Sequence, residues 1–188
     1  MRLMMTLALI AAPVWAAPAF AACPTPPDTS AELLNLFAKA NAATDVNAGR
    51  RVSGEMWEVW LRAPDEAAQE VLDAGMGRRD AYDFAGAITE YDRLIAYCPD
   101  YAEGYNQRAY VHFLRQDYEP ALADLDIALT LQPHHVAAQS GRALTLMNLG
   151  RLEEARAQLL IAVENNPWLS EAALLADDAP LGRKGKDI

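Results

Sequence analysis

Two cysteines, three histidines and 26 acidic residues are the side chains of this 188-residue chain with the most chemistry in them. His134 and His135 are adjacent in a stretch that reads as a turn. Neighbouring side chains there do not converge on one metal, and no third ligand falls at a fitting spacing. A polar turn is the expectation. His112 falls on a helical packing position, where a hydrogen-bonded structural histidine is expected. Asp124 and Asp126 are two residues apart, so they do not share a helix face and make a poor general acid/base couple. They and the Glu153-Glu154 pair are expected on solvated outer faces. Cys98 has no sequence neighbour, His or Lys, that would lower its pKa. No nucleophile elbow, P-loop, dinucleotide fingerprint or H-E-x-x-H motif occurs. Gly75-Met76-Gly77 lacks the strand that a phosphate loop would follow. The expectation is therefore no catalytic residue, no cofactor and no metal: a protein that is not an enzyme.

The cysteines point to a compartment. Residues 1–21 begin with one cation, Arg2, continue with an uncharged apolar run from Leu3 to Trp15, and end in Ala19-Phe20-Ala21. That is the order of a cleaved signal peptide, with cleavage after Ala21 or Ala22 and export to the periplasm or beyond. The run is short for a membrane span, and no second stretch is long enough for one. In an oxidising compartment Cys23 and Cys98 are expected to form one disulfide. It would close a loop of about 75 residues, for roughly 4 kcal/mol in the chain-entropy model. The alternative use of Cys23 is a lipid anchor, since Phe20-Ala21-Ala22-Cys23 imperfectly matches a lipoprotein signal. The two uses exclude each other.

Apolar residues make up 52% of the chain and charged residues 22%, a folding composition. The net charge of -10 repels phosphate backbones and anionic lipid, which argues against nucleic-acid and membrane-surface partners.

Residues 22–28, with three prolines, read as an extended spacer. Residues 29–64 read as a helical pair. Thr29 or Ser30 is offered as the first N-cap, Leu33, Leu34, Leu36 and Phe37 as an apolar stripe, and Val52, Met56, Trp57 and Trp60 as a second packing face. From there the chain is periodic. Pro99, Pro133 and Pro167 are 34 residues apart, and the same shift relates Ala87, Ala121 and Ala155, then Tyr91, Leu125 and Leu159. It also relates Arg108-Ala109 to Arg142-Ala143. A period in this range marks a stacked repeat, each unit too small to bury its own apolar face.

These residues resemble the tetratricopeptide repeat, an antiparallel helix pair with A-x3-F and P in its second half. The resemblance covers residues 68–167 and implies an all-α solenoid of three helix-turn-helix units over about 68–101, 102–135 and 136–169. With a closing helix from Trp168 to Leu175 the domain runs over 65–175. The helical pair 29–64 would cover one end, and residues 176–188, rich in small and charged residues, are expected to be disordered. The resemblance also implies a concave face lined by the first helix of each unit, where partner peptides lie. Carried over, it presents Arg79, Glu103, Asn106, Tyr110, Phe113, Ser140, Leu144 and Met147 as a partner-binding groove. Relatives that clamp a chain-terminal carboxylate use paired lysines and asparagines. Asn106 is present and the lysines are missing; Arg79 and Arg108 are the nearby cations, the latter packed between helices. The function expected is a periplasmic interaction module, an adaptor or assembly factor. The alternative is a structural subunit or lipoprotein of an envelope complex, binding through its convex face or through Trp57, Trp60 and Trp168 at its ends.

Overall fold

The computed structural model describes residues 22–183; the predicted signal peptide and residues 184–188 lie outside the described residues. The described chain is helical: α1 (Ser30–Ala42), α2 (Val46–Trp60), α3 (Glu66–Asp80), α4 (Phe84–Tyr97), α5 (Ala102–Leu114), α6 (Tyr118–Leu131), α7 (Val136–Asn148), α8 (Leu152–Asn165) and a 3-10 helix, Ser170–Leu175. None of these helices is long and apolar enough to cross a membrane. Helices α3/α4, α5/α6 and α7/α8 are three consecutive hairpins, as the 34-residue period implies.

Each hairpin closes on the same side-chain pairing. Ala87, Ala121 and Ala155 are buried on the second helices, beside Tyr91, Leu125 and Leu159. Facing them on the first helices are Gly75, Ala109 and Ala143. Volume is conserved across this contact. Where the second helix carries Tyr91 the first shrinks to glycine, and a Cβ at Gly75 would stand 2.4 Å from Tyr91 Cε1. The turn inside each hairpin needs one left-handed residue: Tyr82 (φ 61°), Gln116 (φ 64°) and Gly150 (φ 76°), again 34 apart. Only the last is a glycine, so the first two turns carry backbone strain. Arginines on the first helices tie each unit together and reach the unit before it. Arg108 lies between helices as expected and bridges Asp124 (2.6 Å) and Asp92 (2.6 Å). Asp124 is thereby buried rather than solvated, because the guanidinium comes in with it. Asp126, on the neighbouring face, remains exposed and pairs with Arg142.

The pair α1–α2 is not a cover on the end of the first repeat. It lies along the edge formed by the turns between repeats and reaches the last one. Gln132 Nε2 donates to Thr29 Oγ1, so Thr29 holds the N-cap position without capping; Asp28 accepts from Ser30 instead. Asn41 donates to the Glu164 carbonyl, Asn166 Nδ2 to Ser53 Oγ (2.8 Å), and Trp168 Nε1 to the Ala40 carbonyl (2.8 Å). The Trp168 ring lies flat on Gly49, where a Cβ would stand 2.1 Å from Cγ. At the other end of α2 the Tyr101 hydroxyl, whose pKa burial pushes up, donates to the Trp60 carbonyl. One apolar core accordingly runs from Leu33, Leu36 and Phe37 through Met56 to Leu146 and Leu159. Cys23 and Cys98 are joined in a disulfide that fixes the start of the spacer beside the first hairpin.

The tail departs from the expectation of disorder as far as residue 183. Leu181 is 1% exposed and belongs to the main core. Its N–H donates to the Leu174 carbonyl (3.0 Å), and the Leu181 carbonyl accepts from the Arg156 guanidinium. The composition of 176–188 looked disordered, but one leucine suffices to seat a short segment over an uncovered helix end.

Candidate partner-binding groove

The first helices of the repeats present one face to a common side, and the edge-lying α2 turns that side into a trough. Spacing explains why α2 serves both as core and as wall. Gly49, Val52, Met56 and Val59 recur at three and four residues and are buried. Val46, Arg50, Ser53 and Trp57 recur at the same spacing one step round and line the trough. Opposite them stand Met76 and Arg79 of α3, Asn106, Tyr110 and Phe113 of α5, and Ser140 and Leu144 of α7. The segment Asn166–Glu171 closes the far end. The enclosed volume is about 950 Å³.

Six of the eight residues offered from the sequence line this cavity: Arg79, Asn106, Tyr110, Phe113, Ser140 and Leu144. Glu103 and Met147 do not. Glu103 is 1% exposed and sits behind the groove floor, where its carboxylate receives Asn106 Nδ2 (3.1 Å), Gln107 Nε2 and His135 Nε2 (2.7 Å). Met147 packs against the main core. The resemblance puts both on the concave side, but Asn106, Gln107 and His135 hold Glu103 behind the floor, and Met147 turns onto the main core.

His135 departs from the reading as a polar turn. It is wholly buried, stacked on Trp60 with ring centroids 4.4 Å apart, and its Nδ1 caps α7 by accepting from the Ala138 N–H (3.3 Å). That acceptance assigns the ring proton to Nε2, which donates to Glu103. His134 stays exposed. His112 is not the hydrogen-bonded histidine expected, since its Nδ1 has no partner and Asp117 is 3.9 Å away. The wall residues of α2 were missed. Trp57, expected on a packing face or, in the alternative reading, as an end surface, is 38% exposed and opens on the trough, as does Tyr110 at 48%. A second amphipathic stripe on α2 was the signal that could have shown this.

The lining is apolar with balanced charge. Arg50 and Arg79 face Asp80 and Glu171 around the cavity. Arg79 is held by Asp80 (2.8 Å), donates to Gln107, and lies over the Tyr110 ring at 5.5 Å. Nothing in this lining pairs a nucleophile with a base. It offers wide aromatic surfaces, a few hydrogen-bonding groups and an open side.

The tetratricopeptide repeat model matches residues 72–130 and 115–167, together 96 of the 188. Over 64 residues the chain is 39% identical to a TPR repeat-containing protein of Rhizobium etli, covering 34% of this chain and 31% of that protein. Over 71 residues it is 38% identical to a tetratricopeptide repeat protein 36 homolog of Nematostella vectensis, covering 38% and 39%. The chain thus spans about a third of the length of these curated relatives. Among solved structures, the Arabidopsis OM64 TPR domain superposes with a TM-score of 0.56 at 22% identity, over 58% of this chain and 90% of that one. The first TPR of Spaghetti (RPAP3), bound to an HSP90 peptide, gives 0.55 at 24% identity over 56% and 84%. The TPR2B domain of yeast Sti1, in its pHsp70 complex, gives 0.54 at 23% identity over 58% and 90%. At these identities the structural likeness is one of fold, and it agrees with the three hairpins. On the match over half its length, the chain belongs to the tetratricopeptide repeat family.

Proposed function

We propose that the protein is an exported interaction module, an adaptor or assembly factor that holds a segment of a partner protein between α2 and the first helices of the repeats. The observation that carries this is the trough itself: about 950 Å³, open along one side, with exposed Trp57 and Tyr110 at its mouth. Large exposed aromatic surface in a concave site is the composition of a protein-binding hot spot. Two similar structures hold peptides of HSP90 and Hsp70, which supports the same use of the fold here.

A periplasmic location is part of the same reading. It is supported by the signal-like composition of residues 1–21 and by a disulfide that suits an oxidising compartment. On this reading Cys23 carries the disulfide, which leaves no thiol for a lipid. Intact mass tests this: the disulfide form is two hydrogens lighter than its polypeptide, whereas a lipidated form is several hundred daltons heavier.

The functional test is a cross-linked pull-down from the cell envelope with the native protein and with Tyr110→Ala/Phe113→Ala. The expected result is a partner lost in the double variant at unchanged helicity. A partner kept by the folded double variant rejects the groove. It would favour the structural-subunit alternative, for which exposed Ile127, Leu160 and Ile161 on the second helices offer an apolar surface.

A further inference from the structure

The trough contains hydrogen-bonding groups that the protein itself leaves unused. Trp60 and Ser140 both line it, and each is 4% exposed. Neither Trp60 Nε1 nor Ser140 Oγ has a hydrogen-bond partner. Buried polar atoms are seldom left so, and two in one cavity need a reason. Trp60 is fixed from behind by its stack on His135. The indole N–H is therefore held without a protein acceptor.

Asn106 adds the third group. Its Nδ2 donates to Glu103 Oε2, an acceptor-only carboxylate, so the amide orientation is settled. Its Oδ1 is left as an acceptor that takes no bond from the described residues. The cavity thus offers a donor (Trp60 Nε1), an acceptor (Asn106 Oδ1) and a hydroxyl that can be either (Ser140 Oγ). That set complements a neutral amide, with its one C=O and one N–H. It does not complement a carboxylate, which is all acceptor and would meet Asn106 Oδ1 with the Glu103 carboxylate behind it. The charged lining residues agree, with Arg50 and Arg79 balanced by Asp80 and Glu171 and Arg79 already paired. Trp57, Tyr110 and Phe113 supply apolar surface beside these groups.

We propose that the trough takes an uncharged internal stretch of polypeptide carrying one bulky apolar side chain. Its peptide group is bonded by Trp60 Nε1, Ser140 Oγ and Asn106 Oδ1, and its side chain lies among Trp57, Tyr110 and Phe113. This narrows the groove reading above and rests on it. Trp60 belongs to α2, outside the repeats, so the selectivity comes from the wall and not from the repeat scaffold.

The test pans the full-length protein against a displayed library of random heptapeptides with flanking linkers. One selected sequence is then made N-acetylated, both as the amide and as the free acid. Binding is measured by calorimetry for the native protein, Trp60→Phe and Ser140→Ala, with a melting curve for each. Selected sequences should share an aromatic or long aliphatic residue without acidic enrichment, and the amide should bind at least as tightly as the acid. Each substitution should weaken binding about fivefold to tenfold, the worth of one hydrogen bond. The melting temperature of Ser140→Ala should hold or rise, because an unmet buried polar group has been removed, and a merely structural role for the hydroxyl would lower it. Trp60→Phe also empties packed volume, so it is read by binding alone. Acidic sequences that need a free carboxylate and Arg79, but bind Trp60→Phe normally, would overturn the inference and leave the groove reading standing. So would selected peptides that bind both variants like the native protein. A library with no sequence dependent on Tyr110 and Phe113 would remove both readings.

Discussion

The three repeats and the α1–α2 pair are held by different kinds of contact. Within the repeat array the contacts recur: a small residue against a large one and a left-handed turn residue inside each hairpin, and an arginine reaching acids of the neighbouring helices. Between the pair and the repeats the repeat-side positions recur but the partners do not: Cys98, Gln132 and Asn166 are 34 apart, yet they meet Cys23, Thr29 and Ser53. Trp168 on Gly49, Asn166 on Ser53, Tyr101 on the Trp60 carbonyl and Cys23 on Cys98 are each used once. A periodic array stacks by nearest-neighbour contacts and can lengthen or shorten without changing its logic. The pair is a unique part, and it makes an open concave face into a trough. The scaffold is generic and the wall specific, so damage to the wall should change the site while leaving the repeats folded.

The disulfide is the strongest of the single-use contacts. Cys23→Ser should cost about 4 kcal/mol of global stability in the chain-entropy model, because the covalent link spans 75 residues. Denaturant unfolding under oxidising and reducing conditions checks it: the native protein should lose that amount on reduction, and the variant almost none. An equal midpoint in both conditions would show that the link adds nothing to the pair's attachment.

Trp168→Ala is the second break. The indole fills the hollow above Gly49 and donates to Ala40, so its loss should cost about 3 kcal/mol. Hydrogen exchange locates the effect. Amides of α1 and α2 should lose protection while those of α5 and α6 keep theirs. Uniform loss throughout would mean that the wall and the repeats unfold as one unit, and the comparison would fail.

This contrast also explains what could be read from the sequence. Any feature repeated three times was legible, since coincidence at 34 residues is visible without coordinates. The alanine and leucine registers, Pro99, Pro133 and Pro167, and the turn at Gly150 are all of this kind. Tyr82 in the same turn was not picked out, because a tyrosine carries no left-handed preference to announce it. Six of the eight residues offered for the groove line the trough, and they came from the register together with the concave face that the resemblance implies. Glu103 and His135 are displaced from it by one unique cluster: His135 is wanted by Trp60, and Glu103 by His135, Asn106 and Gln107. The two contacts that set this cluster, His135 with Trp60 and His135 with Glu103, join residues more than 30 positions apart with no repeated partner to calibrate them. Leu181 was lost in a polar tail for the same reason. The disulfide was legible because two cysteines allow only one pairing.

The smallest effect sharpens the comparison by pH. Helices α2, α3 and α4 begin on Asp45, Asp65 and Asp83, each accepting a backbone N–H of its first turn. In all three the carboxyl pKa is held below its usual value of 3.8. The main cause is the N–H of Ala48, Ala68 and Gly86 respectively, followed by the Asn47 N–H, the Tyr97 hydroxyl and Arg78. Helices α5, α6 and α8 have no side-chain cap of this kind, and α7 is capped by His135. A pKa lowered by folding adds stability that is complete above the unfolded value and disappears as pH falls through the folded one. Acidification below about pH 4 should therefore loosen the wall and the first repeat before the middle and last repeats. Glu154 in α8 is also held down, but by Arg151 at the surface, and about 0.5 M salt should screen that contribution while leaving short cap bonds in place. Hydrogen exchange at pH 3 in high salt should show α2, α3 and α4 opening first, and Asp65→Ala should reproduce the loss in α3 at neutral pH. If α7 and α8 open first instead, the unique contacts rather than the caps set the order, and the wall is only as stable as its hold on the last repeat.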